Sequence, residues 1–179
     1  KIDRYIFLSP TGRTDTASGY SIYESKQADA TLVGGELSVQ FAATDWIVFS
    51  GGFDIVSGTN NANDSPLSLM PANKLKVGAK LLTPNLGGLR NPYVFAQLNA
   101  VSKQDRIVEF ETPSGGYEIV NVAAGTEIAL GGNRVSIDLG VDNLFDISYR
   151  DHLYRYKEYA ESPGMSAFAK IALPFEVIK

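Results

Sequence analysis

Apolar and polar residues alternate along most of this chain, and the period is two. Leu75, Val77, Ala79 and Leu81 fall on one side of a predicted strand, with Lys74, Lys76, Gly78 and Lys80 on the other. The pattern repeats with Val135, Ile137, Leu139 and Val141 against Ser136, Asp138, Gly140 and Asp142. Val94, Ala96, Leu98 and Ala100 oppose Phe95, Gln97 and Asn99, and Ile47, Phe49, Phe53 and Ile55 oppose Ser50, Gly52 and Asp54. No segment sustains a helical period. Bounded by Gly, Pro, Asn, Asp and Ser, about eight strands are predicted, near 2–9, 20–43, 46–57, 74–83, 92–103, 117–130, 134–146 and 166–177. The fold class is all-β and antiparallel.

A soluble sandwich shares this alternation. Two features favour a membrane barrel. The polar faces carry Lys, Asp and Gln on neighbouring strands, as a wet lumen would. Connections also alternate in length, as in outer-membrane barrels with short periplasmic turns and long extracellular loops. The long connections are 9–20, 57–73, 103–116 and 147–165. The short ones centre on Thr44-Asp45, on 83–91, and on Gly131-Gly132-Asn133. The 83–91 connection is longer than the rule prefers. With the long loops outside, the C-terminus lies in the periplasm. The second strand, about 20–43, exceeds the 9–11 residues a tilted strand needs to cross, so its excess projects outward. Trp46 and Tyr93, each next to a short turn, are candidates for an aromatic girdle.

Composition narrows the function. Hydrophobic residues make up 44% of 179, enough for a folded chain. Mean hydropathy is near zero. That fits a barrel, which interleaves apolar with polar positions. No apolar run approaches the roughly 20 residues of a membrane helix. There are no cysteines, so disulfides and thiolate metal sites are excluded. The net charge is -4, without the clustered Lys and Arg of a nucleic-acid footprint, so no nucleic-acid partner is expected. A single His excludes a histidine-rich metal site and argues against His-based catalysis. No metal site, cofactor or enzymatic activity is expected. The first residues, from Lys1 through Tyr5-Ile6-Phe7-Leu8, already read as strand, so the chain is expected to be cut from something longer.

The C-terminal part carries the most specific pattern. Gly140-Val141-Asp142-Asn143-Leu144-Phe145-Asp146, followed by Tyr149-Arg150-Asp151-His152-Leu153, resembles the penultimate-strand motif of TonB-dependent outer-membrane receptors. Pro71-Ala72-Asn73-Lys74-Leu75 is similar to a Pro-X-Asn-X-Leu element common in that family. Tyr5 to Gly12 is similar to a strand and turn in some of its metal- and siderophore-receptor branches. The resemblance implies that residues 1–179 are the C-terminal segment of an outer-membrane barrel. Its function would be active uptake of a scarce nutrient, such as a siderophore or metal chelate, across the bacterial outer membrane. The implied partners are the remaining barrel strands, a plug domain, the TonB complex and outer-membrane lipid. Phe175, in the last strand, resembles the terminal aromatic of the barrel-assembly signal, although the chain continues to Lys179. About eight strands are present, whereas transporters of this kind have 22 around a plug. Neither plug nor TonB-engaging segment is visible in the sequence.

The loop from Tyr149 to Tyr159 is the best candidate for ligand contact. Tyr149, Arg150, His152, Tyr154 and Arg155 mix aromatics, cations and the lone His, and arginines could hold an anionic group. The competing explanation, and the favoured one, is that these residues pack and pair loop against loop. His152 and Met70 are more simply explained by hydrogen bonding and packing than by metal ligation. Lys74, Lys76 and Lys80 could attract an anion, but contact with water or plug carboxylates explains them better. Asp142 and Asp146 lack a partner nucleophile and read as structural. Two other functions remain open: a complete small barrel serving as anchor or adhesin, and a soluble all-β binding module. The first requires strand 2–9 to pair with 166–177. The second requires another sheet over Leu75, Val77, Ala79 and Leu81.

Overall fold

The computed structural model describes residues 1–130 and 133–174. It is one antiparallel sheet of nine strands: β1 (Ile2–Thr14), β2 (Ser21–Thr44), β3 (Ile47–Asn60), β4 (Ser65–Pro66), β5 (Lys74–Leu82), β6 (Arg90–Val101), β7 (Tyr117–Leu130), β8 (Asn133–Asp142) and β9 (Ser166–Ala172). Sequential strands pair in order, except that the short β4 hangs from β3 beside the main path. No helix among the described residues is long and apolar enough to cross a membrane, which says nothing of crossing by strands.

The register joins the alternating faces into two continuous surfaces. Val39, Gly51, Val77, Leu98 and Val120 stand opposite one another from strand to strand, as do Phe41, Phe49, Ala79, Ala96 and Val122. The row of Ala96 and Val122 continues into Val141 and Ala167. Among the described residues this apolar surface has no second layer on it. Val77 is 50% exposed, Phe41 61%, Leu139 56% and Ile171 65%. A soluble sandwich would bury these side chains, so the second sheet that reading requires is absent from the described residues.

The opposite surface is polar. Glu36, Asp54 and Lys74 form one cross-strand row, and Gln40, Ser50, Gly78, Gln97 and Asn121 another. Lys76 pairs with Asp54 at 3.7 Å. On this face three rings lie over glycines. A Cβ on Gly78 would come within 3.0 Å of the Phe95 ring, and one on Gly125 within 2.5 Å of Tyr93. The Phe168 ring likewise occupies the space a Cβ on Gly140 would need. A side chain at any of the three would push its ring off the wall.

The ring does not close on itself. Among the described residues β1 pairs only with β2 and β9 only with β8. The closure required of a complete small barrel is therefore not what the structure shows. β2 changes partner at Ala30, which is fully buried: residues 21–30 pair with β1 and residues 30–44 with β3. Its 24 residues thus serve two hairpins stacked end to end.

Several boundaries differ from the sequence expectation, each for a local reason. β1 runs to Thr14 rather than residue 9, because the chain continues pairing through Pro10 and turns only over 15–20. The 83–89 connection is a small hairpin of its own, with Leu86 and Leu89 exchanging backbone hydrogen bonds at 3.0 Å. β8 stops at Asp142 rather than 146, because Asn143 takes a left-handed backbone, φ 51°. The two-residue β4 was not anticipated. The end expected for the last strand, with Phe175, lies outside the described residues.

Candidate functional site

The turns 15–20, 61–73, 102–116 and 143–165 gather at one end of the sheet. The last begins with the Asn-Leu-Phe-Asp element, and its geometry explains those residue types. Asn143 is 2% exposed and adopts the left-handed conformation that asparagine tolerates. Its side chain closes the turn in both directions. Nδ2 donates to the Ile147 carbonyl at 2.9 Å, and Oδ1 accepts from the Ile147 amide at 2.9 Å. The Asn143 amide donates to Asn121 Oδ1 at 3.0 Å and the Leu144 amide to the Val120 carbonyl at 2.8 Å, fixing the turn to β7. Asp146 Oδ1 accepts from the Met165 amide at 2.8 Å, tying the start of the loop to its return. Asp146 thus works as a brace.

The loop then crosses above the polar face towards the β1–β2 end. Tyr149 packs its ring 4.2 Å from that of Tyr117. Arg150 donates to the Lys157 carbonyl at 3.1 Å, within its own loop. Asp151 accepts from the Tyr117 hydroxyl at 2.7 Å and pairs with Lys74 at 3.6 Å. Burial pushes the Asp151 carboxyl up. The Tyr117 hydroxyl, the Leu153 amide and Lys74 outweigh that and hold it below the ordinary carboxylate range.

His152 is the centre of a buried cluster. Its Nε2 lies 3.1 Å from Glu111 Oε1, and both side chains are 2% exposed. Its Nδ1 lies 3.0 Å from Ser114 Oγ and 3.2 Å from Lys157 Nζ. An ammonium only donates, so Nδ1 accepts and Nε2–H donates to Glu111. Glu111 also accepts from the Leu69 amide at 2.9 Å and the Val108 amide at 3.3 Å. Burial alone would raise its carboxyl. The hydrogen bonds from His152, Leu69 and Val108 outweigh it and hold Glu111 below the usual glutamate range. Lys157 donates to the Thr112 carbonyl at 2.7 Å. Burial pushes its ammonium down against the pull of Glu111, Glu158 and Asp151. One carboxylate therefore ties three loops together. Arg106 adds a clamp, donating to Ser57 Oγ, the Gly58 carbonyl and Thr59 Oγ1, each at 2.8 Å.

Beside this cluster opens a cavity of about 530 Å³, between the β1–β2 end and the loop from His152 to Tyr159. Tyr20 meets Tyr159 edge-on at 5.3 Å and Tyr156 at 6.0 Å, and Tyr154 meets Tyr156 edge-on at 5.9 Å. The Tyr159 hydroxyl bridges the Ser21 amide and the Gly19 carbonyl, both at 3.1 Å.

The structure separates the five predicted ligand residues. Tyr154 and Arg155 line the cavity, and His152 lies at its wall with both ring nitrogens engaged. Tyr149 and Arg150 hold the loop from outside the cavity lining. Glu111, Tyr20 and Tyr23 escaped the sequence reading because they come from other loops and strands. Of the two girdle candidates, Trp46 is 55% exposed beside the Thr44–Asp45 turn. Tyr93 is a correction: it turns to the polar face. There its ring lies 3.9 Å from the Lys80 ammonium and its hydroxyl donates to Asp138 at 2.7 Å. Met70 places its sulfur against Gly58. Among the described residues no three of His, Cys, Asp and Glu converge as a metal site would require.

No family model matches the sequence, and no curated protein does. Solved structures do match. The chain is similar to a copper transporter, OprC, with a TM-score of 0.75 and 20% identity. The match covers 94% of this chain and 26% of the transporter, so the chain spans about a quarter of that protein's length. At that identity the likeness is one of fold: an antiparallel barrel wall.

Proposed function

We propose that the chain is the barrel-wall and extracellular-loop portion of a TonB-dependent receptor. Such a receptor actively takes up a scarce nutrient, a siderophore or metal chelate, across the bacterial outer membrane. The observation that carries this reading is the bare apolar face of an open antiparallel sheet. A contiguous surface of that size is not left in water by a soluble protein, and lipid is the solvent that suits it. The unpaired edges call for further strands, since raw edges cannot face hydrocarbon. The Asn143 to Asp146 turn and the likeness to a quarter of a transporter support the family. Residues 1–179 are then its C-terminal barrel segment. The rest of the wall, a plug, the TonB complex and lipid are its partners. Trp46 belongs to the lipid-facing girdle and Phe175 to the assembly signal. The loop residues 149–155 face the outside. Tyr154 and Arg155 meet the ligand, while Tyr149, Arg150 and His152 shape the loop that presents them.

The membrane part is tested by charge placement. Val77→Arg, on the bare face, is expected to cost about 2–4 kcal/mol and reduce outer-membrane assembly of the full receptor. Lys76→Ala, on the polar face one residue away, is expected to leave assembly unchanged. Equal tolerance of both would overturn a lipid-facing role for Val77. The transport part is tested in cells by uptake of radiolabelled ferric and cupric chelates, with and without the receptor. Uptake that requires the receptor and stops when the proton gradient is dissipated is the expected result. Identical uptake in both strains would reject it.

A further inference from the structure

We infer that Ser114, His152 and Glu111 form a hydrolytic triad among the loops, cleaving small carboxylic esters that reach it from solvent. This activity goes beyond the transport reading and does not depend on it.

The connections run in the order that such chemistry needs. Ser114 Oγ lies 3.0 Å from His152 Nδ1, and His152 Nε2 lies 3.1 Å from Glu111 Oε1. A nucleophile within reach of a base, with the base oriented by a third group, is the geometry of a triad. The protons are also in place. Nε2–H donates to Glu111, so Nδ1 keeps its lone pair towards the serine hydroxyl. Glu111 is itself held by the Leu69 and Val108 amides, and its side chain and that of His152 are both 2% exposed. A single histidine argues against His-based catalysis in a sequence, yet a triad uses only one.

Lys157 Nζ approaches the same Nδ1 at 3.2 Å, but its shorter bond, 2.7 Å, goes to the Thr112 carbonyl. The charges of Lys157 and Glu111 face opposite nitrogens of the ring at nearly equal distances and offset each other. Glu158 and Asp151 add negative charge around Lys157. Access comes from the glycine side. His152 is buried, whereas Ser114 is half-buried and Gly115 and Gly116 are exposed. A Cβ on Gly115 would meet nothing within 4 Å, so an acyl group has room beside the hydroxyl. The Gly115 amide donates to no protein acceptor among the described residues. An amide directly after the nucleophile is a donor for the oxyanion.

The reaction balances with water alone. Ser114 Oγ bonds to the acyl carbon as its proton passes to Nδ1. The bond from that carbon to the alkoxy oxygen breaks, and the leaving alcohol takes the proton. Water then attacks the acyl-serine and gives a proton to Nδ1. The acid leaves as that proton returns to Ser114 Oγ.

The test treats the intact protein in detergent with a biotinylated fluorophosphonate and, separately, with p-nitrophenyl acetate. Peptide mass spectrometry is expected to place the phosphonyl adduct on Ser114. Ester hydrolysis is expected to fall at least about a hundredfold in Ser114→Ala, and His152→Gln is expected to abolish labelling. Glu111→Gln keeps an acceptor for the Leu69 amide. It is expected to slow labelling about a hundredfold while Leu69 amide exchange at neutral pH stays unchanged. If labelling and exchange change together, Glu111 does not orient the base. Absence of an adduct on Ser114, labelling at the wild-type rate in His152→Gln, or undiminished hydrolysis by Ser114→Ala would each overturn the inference.

Discussion

Asn143→Ala is expected to cost about 3 kcal/mol and to loosen the 143–165 loop from its base. Two side-chain hydrogen bonds to Ile147 disappear, at about 1 kcal/mol each. Alanine must also hold the left-handed backbone, φ 51°, at a further cost of roughly 1 kcal/mol. Asn143→Gly separates the two causes. It accepts the backbone without strain and loses only the hydrogen bonds, so it should fall between wild type and alanine. Thermal unfolding in detergent measures the first effect, and protease cleavage within 143–165 the second. If alanine and glycine behave alike, the backbone contribution is absent. If both match wild type, the turn is held by something other than Asn143.

Glu111→Ala is expected to have a still larger local effect. It leaves the His152 Nε2–H and the Leu69 amide without acceptors in a buried place. Breaking a buried, hydrogen-bonded pair at one partner costs about 3–5 kcal/mol. The 61–73, 102–116 and 143–165 loops should undock together, because all three meet at this carboxylate. Amide hydrogen exchange at Leu69 is the direct readout, with opening increased roughly a hundredfold or more. Acid should mimic the mutation. The folded pKa of Glu111 lies below its unfolded value, so its stabilisation is complete above the ordinary glutamate value of about 4.3. It is lost as the pH falls through the lower folded value. Glu111→Gln should remove that acid-dependent step at Leu69. A step that survives in Glu111→Gln would assign it to another group.

Much of the wall was legible in the sequence because strands alternate locally. Leu75 to Leu81 and Val135 to Val141 declare their faces within a few residues, and the register follows from matching faces. Tyr93 shows the limit of position without parity. Its nearness to a short turn suggested a girdle. Val94 and Ala96 on the apolar face already require Tyr93 and Phe95 to face the other way. The end of β8 was misjudged because Leu144 and Phe145 continue the apolar pattern, while one backbone angle at Asn143 ends the strand. The loop cluster was not legible. Glu111 and His152 are 41 positions apart, and Ser21 and Tyr159 are 138 apart. No periodicity links such residues, so only the folded wall that brings the loop bases together shows that they meet. Tyr154 and Arg155 were visible as chemistry, but Tyr20 from the 15–20 turn and Tyr23 from β2, which complete their cavity, were not.

The glycines on the polar face decide how much bore the wall leaves free. At Gly78, Gly125 and Gly140 the rings of Phe95, Tyr93 and Phe168 recline in the gaps where side chains would stand. Three large residues therefore add little thickness to the inner lining. A body travelling along the axis would meet flat plates rather than upright pegs, and could slide over them without displacing them. The same seats anchor each ring between adjacent strands, so the smooth bore and the stiffness of the wall come from one arrangement.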